Sequence, residues 1–111
     1  MPGHLSRSLW LAYVIAGRIA TEPERTIADA LDHLNKLRPS ARGQAKKWLD
    51  EWEHLLNGPI DRVLASLTDR SLRGRELRQN SPFAGALTEE QRRMALDEWR
   101  AYDVGNPRGR R

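Results

Sequence analysis

Three groups of residues have types and spacings that chemistry can use. Glu51 and His54 stand three apart. On a helix that spacing puts a carboxylate and an imidazole on one face, as in the Glu-x-x-His ligands of di-iron bundles. Such a centre also needs a second Glu-x-x-His and two more glutamates, and His33 has Ala30 at the required position. Asp29 and His33, four apart, form a second possible pair, with no candidate nucleophile beside it. There is no glycine-rich phosphate cradle, no G-x-S-x-G and no convincing pair of carboxylates. These absences point away from catalysis, and away from a metal or other cofactor.

The third group binds rather than reacts. Arg70, Arg73, Arg75 and Arg78 precede Asn80-Ser81-Pro82-Phe83. Arg75 and Arg78, three apart on a helix, can point together, and guanidinium forks make strong charge-assisted contacts with carboxylates. Phe83, behind Pro82 in a segment that cannot continue the helix, has the character of an anchor for a partner's pocket. The competing reading is structural: an Asp69–Arg73 pair at i, i+4 on a solvated helix, Asn80 as a helix cap and Phe83 tucked onto the core. Trp10 raises the same choice. Its segment is apolar on nearly every side, and tryptophan is favoured both in cores and at interface hot spots. The candidate partner-binding set is therefore Arg75, Arg78, Asn80, Pro82, Phe83 and Trp10.

Helices must position these residues. Leu5, Leu9, Ala12, Ala16 and Ile19 make a stripe over residues 5–20. Thr21 to Glu24 reads as a capping box, leading to Ile27, Ala30, Leu31, Leu34 and Leu37 before Pro39 stops the helix. Ser40 is placed to cap a third helix, where Ala45, Trp48, Leu49, Trp52, Leu55 and Leu56 form the sharpest stripe in the chain. Asn57-Gly58-Pro59 ends it with a pair tolerant of left-handed geometry and then a breaker. Ile60, Val63, Leu64 and Leu67 mark a fourth helix. Thr68 or Asp69 can cap a fifth, with Leu72 and Leu77 as its large apolar groups and Gly74 costing about 1 kcal/mol relative to alanine. Residues 80–86 read as a loop. Thr88 to Gln91 is another capping box, and Met94, Ala95, Trp99 and Tyr102 face one way on the last helix. No segment alternates with period two, so the expected fold is all-α, a compact bundle of five to six short helices. Residues 1–103 read as one domain, and residues 104–111 as a basic flexible tail.

The fourth and fifth helices have roughly the length of a helix-turn-helix. Aligned on Ala65, however, Asp69 falls where a turn glycine is usual and Arg70 where an apolar residue is usual.

The 111 residues suit a single domain with a modest core. The formal charge is +4. All but three of the basic side chains are arginine, the lysines being Lys36, Lys46 and Lys47. Residues 59–80 carry five arginines against three acids, a milder basic stripe than a dedicated nucleic-acid binder shows. There is no cysteine, which excludes disulfides and fits a reducing compartment. The apolar run at residues 9–16 loosely imitates the core of a signal peptide, but it contains Tyr13 and cannot span a bilayer. A cytoplasmic location with no membrane contact is expected.

The string Trp48-Leu49-Asp50-Glu51-Trp52, with Arg78-Gln79-Asn80-Ser81-Pro82-Phe83-Ala84-Gly85 downstream, resembles a group of small actinobacterial helical proteins. These are encoded beside AbiEii-like nucleotidyltransferase toxins, and the likeness covers residues 5–100. It implies an antitoxin that neutralises a tRNA-modifying nucleotidyltransferase by occluding its active site, with a cognate toxin as protein partner. The extra DNA-binding segment of some relatives has no room here. The alternative is a small DNA- or RNA-binding regulator using the Arg70-to-Arg78 cluster and the basic tail, which leaves weak nucleic-acid binding possible.

Overall fold

In a computed structural model that describes residues 6–105, and only the backbone of the last two, the chain forms six α-helices. They are α1 (Arg7–Thr21), α2 (Pro23–Leu37), α3 (Gln44–Leu56), α4 (Ile60–Leu67), α5 (Leu72–Gln79) and α6 (Glu89–Gly105), with a 3-10 turn (Arg38–Ser40) between α2 and α3. No strand occurs among the described residues. The all-α bundle expected from the periodicity is what forms. The last helix continues two residues beyond the expected domain boundary at 103. Leu5 and the rest of the basic tail lie outside the described residues.

The near-uniform apolarity of α1 follows from its position: it packs against α2, α4 and α6. Leu9, Ala12 and Ile19 are buried. The α3 stripe behaves as its spacing demands, with Leu49, Trp52, Leu55 and Leu56 all buried and Trp52 completely so. Trp48 stays at the margin, with the Lys47 ammonium 5.2 Å from its ring centroid. Val63 and Leu67 of α4 and Leu77 of α5 close the core from the other side. On α6 the expected face is only partly buried: Ala95 packs inward, but Met94 is 55% exposed.

Several helix ends differ from expectation. Thr21 does not cap α2; its hydroxyl donates to the Gly17 and Arg18 carbonyls, inside α1's own last turn. One residue, Glu22, joins the two helices, so no residue is free to act as a side-chain cap. Ser40 likewise turns back to the Leu37 carbonyl within the 3-10 turn. The cap of α3 is Gly43, at φ 56°, the one left-handed residue among those described. Asn57 and Gly58 end α3 without left-handed geometry. The capping box at α6 is present in full: the Thr88 amide donates to Gln91 Oε1 at 2.9 Å and the Gln91 amide to Thr88 Oγ at 3.0 Å.

A guanidinium fork ties the 3-10 turn to α3. Arg38 reaches Asp50 Oδ1 at 2.6 Å and also pairs with Glu53. The hydrogen bond to Asp50 leads the influences that raise the Arg38 pKa further above its ordinary value.

Candidate functional site

The turn between α4 and α5 sets the geometry of the arginine-rich segment. Asp69 Oδ1 accepts from the Ser71 amide at 2.8 Å, and Ser71 Oγ accepts from the Gly74 amide at 3.3 Å. Ser71, rather than Thr68 or Asp69, is therefore the N-cap of α5. Its hydrogen bonds hold the Asp69 carboxyl below the ordinary carboxylate value against an opposing desolvation, with smaller help from Arg73 and Arg78. Gly74 is buried against this turn. A Cβ there would lie 2.0 Å from the Asp69 carbonyl oxygen and 2.6 Å from Asp69 Cβ. The glycine that looked like a weak point in a helix is what lets α5 close onto α4.

Gly74, Leu77 and Arg78, spaced i, i+3, i+4, form the inward face of α5. Arg78 is a fold residue. Its Nη1 donates to the Leu67 carbonyl at 3.1 Å and the Asp69 carbonyl at 2.6 Å, and its Nε donates to Ser8 Oγ at 3.2 Å. It satisfies carbonyls at and beyond the end of α4 that a helix C-terminus leaves open, and it ties α5 to α1. Burial lowers its pKa, Asp69 opposes that change, and Arg75 adds a little repulsion.

The Pro-Phe corner also turns inward. Asn80 caps α5, its Nδ2 donating to the Glu76 carbonyl at 2.9 Å. Ser81 Oγ accepts from the Phe83 amide at 3.1 Å. Pro82 is completely buried, and Phe83, 3% exposed, meets Trp52 edge-to-face with ring centroids 5.5 Å apart. Trp52 Nε1 donates to the Leu77 carbonyl at 2.8 Å. Phe83 is thus a core plug between the loop and α3, which corrects the reading of Pro82 and Phe83 as an exposed anchor. Trp10 has a role within the fold. It is half-buried, donates from Nε1 to the Ala95 carbonyl at 2.9 Å and stacks on Tyr102 at 5.2 Å, so it joins α1 to α6.

Of the six candidate residues, Arg75 alone is left on the open surface. Arg70 and Leu72 are exposed as well, Leu72 to 68% despite being one of the two large apolar groups of α5. The side chains of Arg70 and Arg75 make no hydrogen bond or ion pair among the described residues. Arg73 does not pair with Asp69 at i, i+4; it crosses to Glu51 Oε2 on α3 at 2.5 Å. The exposed set Arg70, Leu72 and Arg75 is the candidate binding surface. Leu72 was missed because an isolated leucine at a helix start reads as core; the signal available was its separation from Gly74, Leu77 and Arg78 around the helix.

The paired acid–histidine spacings do not assemble. Glu51 is engaged by Arg73, His54 is exposed, and Asp29 shares no hydrogen bond or ion pair with His33. Among the described residues no group of three or more histidines, aspartates and glutamates could hold a metal ion, and no helix is long and apolar enough to cross a membrane. Comparisons with protein-family models, with curated proteins and with solved structures found no match to this chain.

Proposed function

We propose that the protein acts by binding, as an antitoxin that docks the outer face of α5 on a nucleotidyltransferase-type toxin and blocks its active site. The observation that carries this reading is the exposed trio Arg70, Leu72 and Arg75. Leu72 is a large apolar side chain left in water, and the exposed Arg70 and Arg75 flank it in sequence with side chains that nothing in the described fold engages. Arginine is enriched at protein interfaces and among their hot spots, and the exposed leucine adds apolar surface that a partner can take out of water. The resemblance also implies that such toxins work through metal-binding carboxylates, and arginine forks bind carboxylates by strong bidentate contacts. Inhibition of this kind needs no catalytic residue in the inhibitor. The Pro-Phe corner serves the role indirectly, because Phe83 and Arg78 fix α5 from behind.

Co-purification with the product of the neighbouring reading frame, followed by a nucleotide-transfer assay on tRNA, tests the proposal. Stoichiometric loss of transfer supports it. Unimpeded transfer in the presence of excess protein rejects it.

A second reading draws on the same surface. α4 and α5 pack together across a short turn, and Arg70 in that turn and Arg75 on α5 are both exposed. A nucleic-acid regulator would use them on phosphates. Salt separates the two readings, since binding through several phosphate contacts weakens steeply as salt rises.

A further inference from the structure

The chain's whole excess of positive charge lies in one connection. Residues 33–49, which run from the end of α2 into α3, hold five basic side chains and no acid. The rest of the chain holds fourteen basic against fifteen acidic side chains. All three lysines, Lys36, Lys46 and Lys47, fall in this stretch. The arginines around α5 are different, because Asp61, Asp69 and Glu76 are interspersed with them.

The fold neutralises part of this charge and leaves the rest. Arg38 is engaged by Asp50 and Glu53. Lys36 reaches Asp32 at 3.4 Å, but the two side chains are 73% and 72% exposed, and such pairs hold weakly. Arg42 is exposed and donates from Nη1 to the Pro39 and Ala41 carbonyls at 3.2 and 2.9 Å. Both acceptors are neutral, so its charge is not cancelled. Lys46 and Lys47 are exposed and make no ion pair among the described residues. The backbone keeps these three close: the Ala45 amide donates to the Arg42 carbonyl at 3.1 Å, and the Lys47 amide to the Gly43 carbonyl at 3.3 Å. Arg42 therefore lies about one turn from both lysines. A helix start favours acids over cations, so helix stability does not account for Lys46 and Lys47 in the first turn of α3.

The composition of the patch selects among partners. Protein interfaces are depleted in lysine. Helices that lie on membranes bury an apolar face beside their cations, yet the exposed large apolar side chains Tyr13, Ile60, Leu72 and Met94 all lie outside residues 33–49. Single-stranded nucleic acid is held by aromatic stacking. Trp48, the one aromatic side chain of the stretch, is half-buried, and the Lys47 ammonium stands over its ring. Clustered cations with no exposed apolar or aromatic platform suit the phosphates of a duplex, which lysine and arginine contact whatever the base sequence.

We propose that the α2–α3 connection binds the phosphate backbone of duplex nucleic acid, without sequence preference, through Arg42, Lys46 and Lys47. The surface is separate from Arg70, Leu72 and Arg75, and its test does not need the toxin.

The test is a fluorescence anisotropy titration of the full chain into a labelled DNA duplex, an RNA duplex and an oligothymidylate single strand, repeated between about 50 and 200 mM salt. Vesicles with an anionic lipid fraction are titrated alongside. Binding of either duplex supports the proposal, and their relative affinities say whether DNA or RNA is the ligand. For DNA, three phosphate contacts at about 0.9 each give a slope of log affinity against log salt of about −2.7. The triple variant Arg42→Gln/Lys46→Gln/Lys47→Gln should lose at least about tenfold at the lower salt and flatten the slope by about 2–3, with unchanged helicity and melting. The charge-preserving variant Arg42→Lys/Lys46→Arg/Lys47→Arg should retain the parent's affinity. A triple variant with the parent's affinity and slope would overturn the proposal. So would loss on replacing Arg70 and Arg75 with glutamine while the triple variant binds normally, which would move the contact to α5. Tighter binding of the single strand, or binding confined to vesicles, also rejects it.

Discussion

Replacing Gly74 with alanine sets two physical effects against each other. Helix propensity alone favours alanine by about 1 kcal/mol. The structure opposes it, because the added methyl would sit 2.0 Å from the Asp69 carbonyl oxygen, 2.6 Å from Asp69 Cβ and 2.7 Å from the Asp69 carbonyl carbon. Two of these three atoms are backbone, so no flexible side chain can swing away. Relief requires α5 to lift from the turn, and that strains two things at once. The Ser71 cap is formed on the Gly74 amide itself, and Arg78 holds the same Asp69 oxygen at 2.6 Å. Overpacking costs about 1–3 kcal/mol, and loosening a hydrogen bond to a charged group costs about 1.5–3 kcal/mol. These effects share atoms and do not add. After the propensity gain, Gly74→Ala is expected to destabilise the protein by about 1–3 kcal/mol. At this chain length each kcal/mol lowers the melting temperature by roughly 4–8 °C. Urea denaturation followed by circular dichroism would show a lower midpoint at an unchanged slope. A variant as stable as the parent, or more stable, would refute the close packing of α5 on the turn.

Phe83→Ala is expected to cost about 3–5 kcal/mol, because it empties the contact with Trp52; an unchanged urea midpoint would return Phe83 to the surface. Arg78→Ala should lose about 2 kcal/mol by leaving the Leu67 and Asp69 carbonyls without their donor, and Arg78→Lys should recover only part of it; thermal melts of the pair check this. Thr88→Ala should cost about 1 kcal/mol through the lost cap of α6, read as a shift in denaturation midpoint. The lowered Asp69 pKa has a definite sign. Its contribution to stability is complete above the ordinary carboxylate range and is lost as pH falls through its folded value. Asp69→Asn should therefore narrow its stability deficit relative to the parent as pH falls through that range, and a deficit that does not change with pH would contradict it.

Much of the fold was legible because single helices carry their own evidence. The α3 stripe, the limits of α4 and the capping box at Thr88 each depend on residues within a few positions of one another. The misread ends had a different cause. Thr21 has the right neighbours for a cap, but the chain passes from α1 to α2 through one residue, so its hydroxyl is used by the helix it leaves. Ser40 is taken up by a 3-10 turn that its local sequence does not announce. The candidate site was legible as a region and not in its roles. A phenylalanine after proline in a loop has one signature whether it meets a partner or its own core. What decides between them is Trp52, thirty-one positions earlier. Arg78 and Arg75 look alike in sequence, and only the position of the α4 terminus makes one a brace and leaves the other free. Trp10 was ambiguous because α1 is covered on three sides, a property of the whole bundle.

In the proposed complex Leu72 and Arg75 on the open face of α5 engage the partner, while the residues behind them hold the helix in place. The most direct measurement is a titration of nucleotide transfer to tRNA by the purified toxin with increasing amounts of the parent protein, Leu72→Ala, Arg75→Ala and the double variant. Helicity and melting of each should be recorded alongside. Parent-like folding is expected in all three variants, with weaker neutralisation in each single variant and a shift of at least about a hundredfold in the double variant, from two lost hot-spot contacts of about 2 kcal/mol each. A double variant that folds like the parent and neutralises at the same concentration would contradict it.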